Sequence, residues 1–166
     1  MKKIQASKLT KMALFTAVAV MIHALEALLP ALVPVPGIKP GLANVVTLLA
    51  LYWFSPVDAL WIVAARLLIG SAFGGSLSSL MYAAAGGALS LAVMLPLRRA
   101  LSPRYLHLIS ILGAVGHNLG QIALAVIITK TTALFAYLPF LMLSACVTGL
   151  LTGLSARAVY LRLEKK

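Results

Sequence analysis

The sequence predicts an all-α integral membrane protein, a bundle of six transmembrane helices in a single domain spanning residues 1–166. Three observations predict it. Apolar residues make up 62% of the chain and charged residues 10%, so a water-soluble globule of this length would lack the polar side chains to cover its surface. The apolar residues fall into six stretches, Met12 to Leu29, Gly41 to Phe54, Val57 to Phe73, Leu77 to Leu97, Tyr105 to Thr129 and Thr132 to Tyr160, most of them with the length a bilayer requires. Eleven of the fourteen Lys and Arg residues then fall on one side: Lys2, Lys3, Lys8 and Lys11, Arg98, Arg99 and Arg104, and Arg157, Arg162, Lys165 and Lys166. Basic residues collect on the cytoplasmic side of membrane proteins, so both termini are expected there. Lys39 and Lys130 fall on the far side, and Arg66 is left inside the membrane.

The first stretch follows a Lys-rich start, as a signal peptide does. It is long, carries Glu26 and has no small-x-small cleavage site before Pro30, so it is expected to be retained as a helix. Residues 30–41 hold four prolines and two glycines. Proline removes backbone donors and blocks helix continuation, which makes this a shaped external loop. The second stretch, at 1.5 Å per residue, reaches only about 21 Å, so it is expected to borrow loop residues or to be shielded by its neighbours. The third begins at Ser55-Pro56-Val57-Asp58, with a capping hydroxyl, a proline at the first helical position and an acid that reads as part of the cap. Small residues mark close packing: Ala83 to Gly87 on the fourth helix, Gly113, Gly116 and Gly120 on the fifth, and Ala145, Gly149 and Gly153 on the sixth.

The net charge of +11 flanks apolar crossings and is an orientation signal with affinity for anionic lipid heads. No basic, aromatic-interleaved soluble segment exists to hold a nucleic acid. A single cysteine, Cys146, gives neither a disulfide frame nor a metal cluster, and no cofactor is expected.

The chemistry left over is in polar groups that hydrocarbon penalises: His23, Glu26, Asn44, Arg66, His117, Asn118 and Gln121. An Arg at the centre of a helix costs about 2.5 to 3.5 kcal/mol on insertion scales and needs a partner or a wet cavity. Glu26 falls about one turn from the external end of the first helix and Arg66 about two turns below Gly74, with Lys39 in the loop above. The set converges on the outer half of the bundle, as a substrate pocket open to the outside requires. His23 and Glu26, three apart, share a face, as do His117 and Gln121, four apart; Asn118 points elsewhere. His117 and Gln121 either line the pocket or bond between helices, and Glu26 is either the counter-ion of Arg66 or a second ligand contact. Ala13 and Ala17 lie in the inner half of the first helix, on another face, where small side chains let a partner helix dock.

Six short helices, Ala13-x-x-x-Ala17, a Pro-Gly-rich first external loop and an outer pocket resemble the substrate-binding S components of energy-coupling-factor transporters. More specifically, Val35-Pro-Gly-Ile-Lys-Pro-Gly-Leu-Ala-Asn-Val-Val-Thr-Leu-Leu-Ala-Leu-Tyr52, then Arg66-Leu-Leu-Ile-Gly70, Gly74-Gly75 and Gly87-Ala-Leu-Ser90, resemble the Gx transporter family, which also carries the name heptaprenyl diphosphate synthase component I. The resemblance implies a multi-pass protein of a prokaryotic plasma membrane that captures a small solute from outside, and a cation-rich pocket with one acid suggests that the solute is anionic or zwitterionic. It also implies docking through the first helix on a transmembrane coupling (T) component powered by two ATPases. The second family name implies a non-catalytic membrane subunit of an isoprenoid diphosphate synthase. Catalysis of that reaction takes carboxylate clusters that hold Mg²⁺ on the diphosphate. Asp58, Glu26 and Glu164 are the only acids in the chain and lie far apart. A phosphate-binding Gly-x-x-x-x-Gly-Lys-Ser/Thr loop is also missing from the sequence, so the chain is not expected to be an enzyme.

Overall fold

In the computed structural model, the described residues are 2–28, 42–72 and 77–164, without the side chains of 2–5, 26–28 and 79. They form six α-helices: α1 Lys2–Leu28, α2 Asn44–Trp53, α3 Pro56–Ala72, α4 Leu77–Ala100, α5 Leu106–Thr129 and α6 Leu138–Glu164. Short 3-10 turns at Pro103–Tyr105 and Thr132–Tyr137 lead into α5 and α6. Among the described residues there is no strand. Four segments are long and apolar enough to cross a membrane, Ala6–Leu25, Leu80–Ala100, Pro103–Thr129 and Thr132–Glu164.

The helix bounds differ from the apolar stretches where polar residues continue a helix. α1 begins ten residues before Met12 because a Lys-rich segment without Gly or Pro is compatible with helix. α4 runs through Pro96 to Ala100, and the chain then turns at Ser102, whose extended backbone suits the residue before Pro103. α5 ends at Lys130, which takes the left-handed conformation with φ 54°, a position that glycine usually fills.

α2 is shorter than its apolar stretch. Ten residues give a rise of about 15 Å, too little to cross unaided. Its residues Val46 to Leu51 are consecutively buried, as a helix that is apolar on every side requires. Leu48, Leu51, Ile62, Leu106 and Ile109 are the largest fully buried side chains, so the core forms where α2 meets α3 and α5. Shielding by protein, the second of the two expectations for this stretch, is what the structure supplies.

α5 is held between α4 and α6 at nearly backbone contact. A methyl group added at Gly120 would stand 2.6 Å from the Ala85 carbonyl oxygen on α4, and one at Gly153 would stand 2.5 Å from His107 Cα on α5. Overlap on rigid backbone has no low-cost relief, so both glycines are required by the approach of the helices. Ser110 and Thr152 add a buried hydroxyl pair at 2.9 Å between α5 and α6, and Asn118 donates to the Leu141 carbonyl at 2.7 Å.

One end of the bundle gathers the basic residues. Lys8 of α1 pairs with Asp58 of α3 at 2.7 Å. Asp58 also accepts from the Ser55 hydroxyl at 2.6 Å and the Ser55 backbone N–H at 3.1 Å, while Ser55 Oγ accepts from the Asp58 N–H at 3.2 Å. This is a reciprocal capping box. Beside it, the Phe15 ring meets the edges of Trp53 and Phe54, Trp53 stacks on Tyr160, and Tyr52 reaches Tyr160, Arg98 and the Leu101 carbonyl. The start of α3 and the ends of α2, α4 and α6 are thereby placed together.

Candidate functional site

Away from the basic end, polar side chains are seated on glycines. α3 carries Arg66 about 15 Å along its axis from Pro56, and the residue is 7% exposed. Gly70 lies one turn beyond on the same face. Here the ring of His23 from α1 rests so closely that a methyl group at position 70 would be 2.8 Å from His23 Cδ2. Gly70 therefore does more than bring helices together; it is the seat of a histidine.

Gly86 on α4 plays the same part for α5. A methyl group there would meet the His117 carbonyl oxygen at 2.8 Å, His117 Cε1 at 2.9 Å and Gln121 Cγ at 2.9 Å. The spacing of four explains why both side chains cover one glycine. His117 hydrogen-bonds to the Gly86 backbone, and Arg66 is its electrostatic neighbour. Arg66 and His23 each engage neighbouring groups.

The structure therefore seats His117 and Gln121 together on Gly86, within electrostatic range of Arg66, and His23 on the α3 face that carries Arg66. Asn44 is half-buried at the start of α2. Glu26 has its backbone in α1, but its side chain lies outside the described residues, as do Lys39, the loop 29–41 and residues 73–76. Asn118 is occupied by α6, in line with its different face.

One contribution was not identified from sequence. Gly86 was assigned only to helix packing, and neither it nor Gly70 to a histidine, although a position without a side chain opposite a histidine is what lets a large ring approach a neighbouring backbone.

Ala13 and Ala17 occupy a separate surface. Both are exposed on α1 and line a groove of about 720 Å³ between α1 and α3, closed by Trp61, Ile62, Ala65 and Ile69. The groove is almost wholly apolar, and Ala24 and Ala65 extend its run of small side chains.

The family described as Heptaprenyl diphosphate synthase component I matches residues 15–159. The chain belongs to that family. No curated protein and no solved structure matches it. The component I match contains His23, Asn44, Arg66, His117, Gln121 and Ala17, and begins just after Ala13. The family's name refers to a synthase component, which by itself assigns no chemistry to any of these residues.

Proposed function

We propose that this chain is the solute-capturing membrane subunit of an uptake transporter of the energy-coupling-factor type. It crosses the plasma membrane six times with both termini in the cytoplasm. The observation that carries the reading is Arg66, buried in an apolar bundle beside His117 and away from the basic end. A guanidinium is planar and permanently charged, and it matches carboxylate or phosphate with two parallel hydrogen bonds. His117, Gln121, His23 and Asn44 supply hydrogen-bonding contacts that discriminate among anions, and Lys39 and Glu26 complete the pocket from the outer side.

The groove at Ala13 and Ala17 is the docking surface for the transmembrane coupling component, which two ATPase subunits drive. Its small side chains permit close approach of a partner helix. With α2 shielded by protein, the two short helices cross within the bundle without each having to match the bilayer thickness alone.

A second reading follows from the family description: a non-catalytic membrane subunit of heptaprenyl diphosphate synthase, presenting an isoprenoid diphosphate to a separate catalytic chain. Two of the three acids already have partners, Asp58 with Lys8 and Ser55, and Glu164 with Tyr160. That occupation disfavours catalysis by this chain itself. Co-purification under gentle extraction distinguishes the two. A transmembrane component with an ATPase pair is expected; recovery of an Asp-rich soluble synthase in their place supports the second reading. Orientation is tested by single cysteines in a Cys146→Ser background. Lys39→Cys should react with an impermeant maleimide in intact cells, whereas Arg99→Cys should not.

A further inference from the structure

The basic end holds more positive charge than its own carboxylates can answer. Away from Arg66, three side-chain nitrogens among the described residues are buried without a hydrogen-bond partner: Arg98 Nη1, His107 Nδ1 and Arg157 Nε. All three lie at that end. Arg98 is in the last turn of α4, His107 in the first turn of α5, and Arg157 two turns before the end of α6. Gly153 presses on the His107 backbone, and Arg157 lies one turn further along the same face of α6, which places it beside the start of α5. Tyr52 joins the remaining side: its ring is 6.0 Å from the Arg98 guanidinium carbon and 5.6 Å from the ring of Tyr160, three residues from Arg157.

Unpartnered buried donors are rare because each forfeits its hydration. The acids of this end do not answer them. Asp58 is bonded to Lys8 and Ser55, and Glu164 accepts from the Tyr160 hydroxyl. Other cations here, Arg99, Arg104 and Arg162, are exposed to solvent, whereas Arg98 and Arg157 are half-buried, Arg98 against the ring of Tyr52. Tyr and Trp are side chains that settle at the level of lipid head groups, and basic pockets between helices at that depth take phosphorylated head groups.

We propose that Arg98, Arg157 and His107, walled by Tyr52 and Tyr160, form a binding site for a phosphoryl anion at the basic end of the bundle. It is distinct from the Arg66 site and independent of which solute that site takes. Two guanidinium groups offer donors suited to tetrahedral phosphate oxygens, with the His107 ring at the same end of the bundle, and charge-assisted bonds of this kind are about twice as strong as neutral ones. The phosphoryl group comes from an anionic lipid or from a soluble phosphate ester.

Trp53, stacked on Tyr160, is the reporter. In a Trp61→Phe background it is the sole tryptophan, and its fluorescence is followed as the detergent-solubilised protein is titrated with phosphatidylglycerol, phosphatidylcholine or inorganic diphosphate. Saturable change with phosphatidylglycerol but not phosphatidylcholine identifies the lipid source, and change with diphosphate the soluble one. In either case Arg98→Gln with Arg157→Gln should weaken binding at least about tenfold, and Arg98→Lys with Arg157→Lys should lie between. Arg99→Gln with Arg104→Gln removes the same charge from the exposed surface and should leave affinity within about twofold. Equal weakening by the two glutamine pairs, or no saturable response to any of the three probes, overturns the proposal. The lysine pair keeps the test readable if the buried glutamine pair unfolds.

Discussion

The two halves of this bundle are built differently. In the half formed by α4, α5 and α6, glycines bring backbones into contact: Gly120 against Ala85, Gly149 against Ile111 and Gly153 against His107. Gly86 there meets the His117 backbone as well as its ring, whereas in the half formed by α1 and α3 the atoms nearest Gly70 all belong to the His23 ring, and α1 leaves most of its surface uncovered by the rest of the chain. Backbone-to-backbone seams allow one arrangement only. A helix resting on side chains and flanked by an open groove can be repacked at lower cost. On the function proposed above, the difference separates a scaffold from a working face: among the described residues, Arg66, His23, Ala13 and Ala17 belong to the second half, and His117 and Gln121 reach in from the first.

The largest effect should come from breaking the scaffold. Gly153→Leu forces a branched side chain into the backbone of His107 and should cost more than about 3 kcal/mol, seen as loss of the monodisperse peak on size exclusion. The equivalent change on the open face, Ala13→Leu, should leave that peak unchanged, because Ala13 borders empty volume. If both behave alike, the two halves are not different in kind.

Ala17→Trp should come next. A bulky ring holds apart helices that small residues let touch, so assembly with the transmembrane partner should fail while solute affinity changes by less than about twofold. Normal assembly of this variant would remove the groove from the account. A smaller effect is expected at the junction of the halves: Ser55→Ala takes away the capping hydroxyl of α3 and should lower stability by about 1 kcal/mol, measurable as a shift of the thermal midpoint in detergent. The smallest lies in the scaffold's outer turn. Lys130 holds a left-handed backbone, so Lys130→Gly should raise stability by about 0.5 to 1 kcal/mol and leave binding untouched.

Much of the scaffold could be read from residue order. The stripes at Gly113, Gly116 and Gly120 and at Ala145, Gly149 and Gly153 lie at helical spacing, and small residues at that spacing have one main use in membrane helices. The capping box at Ser55 and Asp58 was legible for a similar reason: it is local. Less could be read of α2. Its fourteen apolar residues gave a length but not the surroundings that shorten it to ten residues of helix, since shielding is a tertiary property. Each polar side chain could be singled out, because hydrocarbon penalises all of them alike. Their mutual geometry could not be read. Which glycine faces His117, and whether His23 turns toward α3, depends on rotations of whole helices that no spacing within one helix records. The unpartnered arginines at the basic end were hidden by their own abundance, since positive charge there is already required for orientation.

Arg66 is the residue proposed to hold the solute. Its most direct test is mass spectrometry of the small molecules that remain with the protein after gentle extraction, comparing the parent chain with Arg66→Ala and Arg66→Lys at equal folded protein. The parent should retain an anionic or zwitterionic solute. Arg66→Ala should lose it by at least about a hundredfold, because removing one partner of a buried charge pair costs about 3 to 5 kcal/mol, and Arg66→Lys should recover part of it by keeping the charge without the two-point geometry. Equal retention by the parent and Arg66→Ala would contradict the assignment and leave Arg66 a structural ion of the bundle.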